Sequence, residues 1–170
     1  MRQKEIVQGD LLYHAVHGLC RVNEIESENR SGQDVPRYSL VPKTANKMKV
    51  RFVVSAVDLE ISGFHAPVSL KAANEILDYL KAGTLTAVPE EDQTWGLAKA
   101  ILSSSHDRPE FKDARKRQML ERSAKGLVGE LAFVLKMTLK EMAVSIQKSL
   151  GNASQISPMV LTALAHAGED

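Results

Sequence analysis

Gly9-Asp10-Leu11-Leu12-Tyr13-His14-Ala15-Val16-His17-Gly18-Leu19-Cys20-Arg21-Val22 reads as two short strands joined by a turn. Leu11, Leu12, Tyr13 and then Val16 make the first apolar run, and His17-Gly18 supplies the turn. The second run continues through Asn23 and Glu24 to Ile25. Alternate strand side chains point to opposite faces, so Leu19, Arg21 and Asn23 should face one way and Cys20, Val22 and Glu24 the other.

Downstream, residues 27–36 hold Asn29, Ser31, Gly32 and Asp34, which is turn chemistry. Tyr38-Ser39-Leu40-Val41 and Met48-Lys49-Val50-Arg51-Phe52-Val53-Val54 follow as further strand candidates. Four or five short strands in this space predict a small curled sheet or barrel with a thin core.

The pattern changes near residue 65, after which helical periodicity dominates. Ser69 is placed to cap a helix over 70–81 carrying Ala72, Ala73, Ile76, Leu77 and Leu80, stopping near Gly83. Residues 83–88 read as a hinge. Pro89, with Glu90, Glu91 and Asp92 at the positive helix end, opens a second helix through Trp95, Ile101 and Leu102. Ser103-Ser104-Ser105 should break it. Asp107 with Glu110 reads as a capping box for a helix over 109–136. Thr138 with Glu141 reads as another, opening a helix that runs to Leu150 and ends at Gly151. Ser157-Pro158 starts a last short helix, 158–166.

The expected class is therefore α+β: a β-rich domain over residues 1–66, then an all-α domain over 67–170. The chain has 170 residues with 22 Lys+Arg against 21 Asp+Glu. Such a balance excludes a protein that coats nucleic acid through bulk charge, though not a local basic face. Its single cysteine, Cys20, forbids an internal disulfide framework and fits a reducing cytosol. No run of about 18 apolar residues is present, and MRQKEIVQGD has no apolar leader core, so the expected setting is cytoplasmic with no membrane partner.

Few residues propose chemistry. His14, His17 and Cys20 are zinc-type ligands spaced three apart, but across a strand and turn that spacing does not converge. The plain reading is one turn histidine and one packed thiol, with no metal and no cofactor. No G-x-S-x-G and no glycine-rich phosphate loop occurs, so an enzyme is not expected. Residues 108–125 carry Arg108, Lys112, Arg115, Lys116, Arg117, Arg122 and Lys125 against three acidic residues. Arg108, Lys112, Arg115 and Arg122 share one helical face, which suits phosphates; the alternative is a solvated face with an ion pair from Asp113 to Arg117. Trp95, the only tryptophan, is either a core or interface anchor or a wedge at distorted DNA.

The opening segment resembles that of the CarD/CdnL-like bacterial transcription regulators, which usually begin Gly-Asp-x-Val-Val-Tyr-Pro-x-His-Gly and continue through a short strand to Ile-Glu, here Ile25-Glu26. A polymerase-binding module of the transcription-repair coupling factor shares that start. Val54 to Gly63 has the spacing of the family's Val-Pro to Gly-hydrophobic-Arg stretch. Met119-Leu120-Glu121-Arg122 through Leu127-Val128-Gly129-Glu130-Leu131-Ala132 resembles its C-terminal signature. The similarity spans residues 9–150.

The resemblance implies a Tudor-like bent sheet that docks on the RNA polymerase β subunit. It also implies a helical domain at the upstream edge of the melted promoter, and a factor that stabilises the open complex without catalysis; the sequence leaves the oligomeric state open, a monomer being the expectation. On that scheme Arg21, Arg51 and Val53 face the polymerase, while Trp95, Lys99, Arg108, Lys112, Arg115 and Arg122 face DNA. The chain also departs from the family. His14 stands where Pro is common, Ser55 replaces Pro after Val54, and His65 replaces Arg. Val53 occupies a position that is often basic, with Arg51 on the same strand face in its stead. Only Lys99 follows Trp95 within ten positions, where relatives are Arg-rich. That gap motivates an alternative: a polymerase-binding protein–protein adaptor that has lost DNA contact.

Overall fold

The computed structural model describes residues 5–44, 50–84, 92–107 and 113–169. The chain divides into two compact units, Met1–Pro67 and Val68–Asp170. The first holds a four-stranded antiparallel sheet of β1 (Leu11–His14), β2 (Gly18–Arg30), β3 (Gln33–Pro42) and β4 (Phe52–Ser55), in that spatial order. A 3₁₀ turn over Ala56–Asp58 and the one-turn helix α1 (Leu59–Ser62) close it, and Tyr13 and His65 exchange backbone hydrogen bonds beside β1. The second holds α2 (Leu70–Ala82), α3 (Gln93–Ser105), α4 (Ala114–Leu135), α5 (Leu139–Leu150) and α6 (Pro158–Glu169). The architecture is α+β.

Leu12, Cys20, Val22, Tyr38, Leu40 and Phe64 form the buried hydrophobic cluster of the sheet unit, with Phe52 and Val54 packed on them. The alternation expected of β2 holds from Leu19 to Val22 and then fails. Register passes from Val22↔Leu40 to Glu24↔Ser39, leaving Asn23 as an extra residue. This β-bulge moves Glu24 to the exposed face and bends the strand.

Residues 27–36 are not an extended turn region. Ser27–Arg30 pairs with Gln33–Pro36, and only Ser31 and Gly32 turn, with φ of 53° and 84°. Positive φ at both positions makes a type I′ hairpin turn, whose twist matches that of the strands. The polar residues support it with side chains: Asn29 Oδ1 accepts the Gly32 N–H at 3.2 Å, and its amide meets Asp34. The expected strand over 48–54 is shorter, its first two residues lying outside the described residues and its ladder beginning at Phe52.

In the helical unit Ser69 caps α2, accepting the Ala72 N–H at 3.1 Å, and Gly83 ends it with a left-handed φ of 68°. Asp92 caps α3, accepting from the Thr94 N–H; Pro89, Glu90 and Glu91, expected at this start, lie outside the described residues, as does most of the 83–88 hinge. The three serines end α3 rather than interrupt it: Ser105 is buried and returns its hydroxyl to the Leu102 carbonyl at 2.6 Å. Described helix α4 starts at Ala114, where Asp113 accepts the Lys116 N–H at 3.1 Å. The expected Asp107–Glu110 box and Pro109 fall on residues 108–112, outside those described. The Thr138–Glu141 capping box opens α5, and α6 runs on to Glu169. Ile76, Leu80, Ile101, Leu102, Leu127, Leu131, Met142, Ile146 and Leu164 are almost wholly buried and form a core far larger than that of the sheet. Each such side chain contributes about 1.5–3 kcal/mol.

Candidate functional site

Directly paired residues of an antiparallel sheet project from one face. Arg21 pairs with Val41, Glu24 with Ser39, Ser39 with Val53, and Glu26 with Arg37. These rows form the face opposite the core. Arg51, two residues before Val53, reaches across β3 to place its guanidinium 3.1 Å from Glu24. The structure therefore brings Arg21, Arg51 and Val53 together on one exposed face, where Val53 keeps 53% of its surface open to solvent. Arg37 pairs with Glu26 along the same face. Its hydrogen bond, then its charge, hold the Glu26 carboxyl below the ordinary carboxylate value.

Glu24, Glu26 and Arg37 were not singled out in the sequence. Their spacing of two carried the signal, but the bulge hid which face Glu24 takes. The result is a surface of paired opposite charges around the exposed Val53. Strand β4 is last in the sheet order, and among the described residues no strand pairs with its outer edge.

The helical candidates do not assemble into one site. Trp95 is half-buried on α3, packed on the helical core and edge-on to Tyr79 at 5.6 Å and 71°. Lys99 is exposed one turn further on, and Arg115 and Arg122 are exposed on α4. Arg108 and Lys112 lie outside the described residues. Helices α3 and α4 run antiparallel: Thr94 bonds to Glu130, whereas Ser103 and Ser104 share a cavity with Lys116 and Met119. Trp95 is thus level with Glu130, about 20 Å along α4 from Arg115 at 1.5 Å per residue. Asp113 gives its carboxylate to the α4 cap, so the side chain offered as an ion-pair partner for Arg117 has a structural task.

That cavity, of about 220 Å³, has Ser103, Ser104, Asp107, Lys116, Met119, Leu120, Ser123 and Met159 in its lining. No sequence pattern pointed to it.

The three residues spaced like zinc ligands, which the sequence reads as a turn histidine and a packed thiol, are set apart. His14 and His17 stack at 4.5 Å, while Cys20 is buried on the core face, where burial pushes its thiol upward. Among the described residues no group of three His, Cys, Asp or Glu is placed to hold a metal ion. None of the described helices is long and apolar enough to cross a membrane. No protein-family model matches the chain, and no curated protein matches it.

Proposed function

We propose that the chain is a non-catalytic bacterial transcription regulator whose sheet unit, read as Tudor-like, docks on the RNA polymerase β subunit. The observation that carries this is the exposed sheet face that Arg21, Arg51 and Val53 share. An apolar centre within a charged surround is the composition of a specific protein interface. The resemblance of residues 9–26 to the CarD/CdnL-like opening supplies the partner. Strand β4, with no strand on its outer edge among the described residues, offers a second means of attachment through its backbone.

Docking raises the local concentration of the helical unit near the promoter. A factor that prefers the open complex by about 1.4 kcal/mol shifts the opening equilibrium tenfold. Trp95 and Lys99 would then stand at the upstream edge of the bubble, with Arg115 and Arg122 on phosphates.

A second reading keeps the polymerase dock and assigns the helical unit to protein contacts alone. Its support is the placement of Trp95, packed on Tyr79 and remote from Arg115.

The deciding experiment is capture of the β subunit by the full chain, compared with the Arg21→Glu/Arg51→Glu chain. We expect at least tenfold weaker capture by the variant with the fold retained. Capture unchanged by both reversals, or no capture by the folded wild type, refutes the docking face.

A further inference from the structure

His14 commits both ring nitrogens. Its Nδ1 accepts the backbone N–H of Val16 at 3.0 Å and that of His17 at 3.2 Å. Its Nε2 lies 3.1 Å from the Ser62 carbonyl oxygen at the end of α1. A nitrogen facing two N–H donors must hold the lone pair, and one facing a carbonyl must hold the hydrogen. The fold therefore specifies the neutral ring with its hydrogen on Nε2. Gly63 makes the approach possible: a Cβ there would stand 2.9 Å from His14 Nε2. The imidazole also packs 4.8 Å from Phe64 and 4.5 Å from His17, whose own ring lies 4.3 Å from Phe52 on β4.

We propose that His14 is a proton-sensitive latch, its neutral ring pinning the β1–β2 turn to the end of α1 and its protonation releasing that turn with the His17–Phe52 ring contact. A proton on Nδ1 would aim one N–H at two others, so both turn hydrogen bonds are lost at once. That contact rests on β4, the strand that carries Val53 and that is last in the sheet among the described residues, so acid loosens the sheet there.

The ionisable groups that bear on the ring are His17, in its own turn, and His65, on the segment bridged to β1. Helix α1 meets it with a backbone carbonyl and Gly63. Burial first, and His17 next, hold His14 below the ordinary imidazole value of 6.5, while the Ser62 carbonyl acts in the opposite sense. The unfolded chain thus takes the proton more readily than the folded one. The latch contributes fully above 6.5, and its contribution is lost as pH falls through the lower folded value. Proline, common at this position in the family the chain resembles, has no titrating group and could not act as this latch.

Nitrogen-15 spectra of the imidazoles in the full chain, with its backbone amides followed from pH 7.5 to 5, test the latch. The expected result at pH 7.5 is His14 with its hydrogen on Nε2. On acidification the Val16 and His17 amides should move with the His14 ring, at a midpoint below 6.5. His14→Gln, which can still accept from the turn, should hold the Val16 amide constant across the range. The hydrogen found on Nδ1, a Val16 amide that follows the His17 ring instead, or a His14→Gln chain with the same Val16 titration would each overturn the proposal. Should His14→Gln fail to fold, His17→Gln keeps the latch and must still show the Val16 amide moving with His14; an amide that stays still rejects it.

Discussion

Glu130 is the only Asp, Glu, Lys or Arg among the described residues whose side chain is wholly buried. Helix α4 carries it inward, where Oε1 accepts the Val68 N–H at 3.0 Å and Oε2 the Thr94 hydroxyl at 2.8 Å. A buried carboxylate is costly unless its oxygens are engaged, and here each has a donor. Glu130→Ala should therefore destabilise the helical unit by about 2–4 kcal/mol, and Glu130→Gln by less, since the amide keeps one acceptor. Urea unfolding of the full chain measures both, and an alanine variant as stable as wild type would show the carboxylate to be idle. Gly63 poses the opposite problem, a residue needed for what it lacks. Its φ of 85° is left-handed, and the space of a Cβ is taken by His14. Gly63→Ala should cost the sheet unit about 1–2 kcal/mol, read as a lower Tm.

Helix α5 shows how an element is written into a few residues. Thr138 accepts the Glu141 N–H at 3.2 Å while Glu141 accepts the Thr138 N–H at 2.9 Å. The Thr138 backbone N–H first, and its hydroxyl next, hold the Glu141 carboxyl below its ordinary value of 4.5. Folding is thus favoured by the ionised carboxylate, a contribution present above that value and lost as pH falls through the lower folded one. Thr138→Ala removes a cap that is typically worth about 1 kcal/mol and should reduce this acid dependence without abolishing it, because the backbone N–H to Glu141 remains. Thermal melts of both chains between pH 5 and 3 check it; identical slopes would show that the hydroxyl adds nothing to it. The same local grammar made α2, with Ser69 before it and Gly83 after it, legible in the sequence. It failed where the signal is not local. The hairpin of β2 and β3 was masked by Asn29 and Asp34, which support a two-residue turn from strand positions and need no loop of their own. Ser105 read as a breaker, but tertiary burial with a hydrogen bond to Leu102 keeps it helical. The exposed sheet face was half legible: period-two spacing placed Arg51 with Val53, but no residue type announces the bulge that brings Glu24 under Arg51.

At the scale of the whole molecule, a chain with nearly equal basic and acidic counts can act on DNA only by concentrating charge locally or by being carried there. The proposed dock carries it, so the helical unit needs only a weak grip. Beside Lys99 on α3, α4 offers Arg115 and Arg122 for that grip, seven residues apart and about 10 Å along the helix, which lets them meet separate phosphates. Each neutralised phosphate releases counterions and adds about 0.9 to the slope of log affinity against log salt. If both arginines sit on phosphate, Arg115→Glu/Arg122→Glu should weaken stabilisation of the open promoter complex at low salt and make its salt dependence shallower by about 2. Capture of the β subunit should stay unchanged, because Arg21, Arg51 and Val53 are untouched. Open-complex lifetime measured across a salt series, with the full chain and the holoenzyme, reads the slope. The two readings of the helical unit part here. A shallower slope supports the DNA grip. An unchanged slope, with the stabilisation intact, leaves Arg115 and Arg122 as a solvated face and transfers the effect to protein contacts, as the adaptor requires.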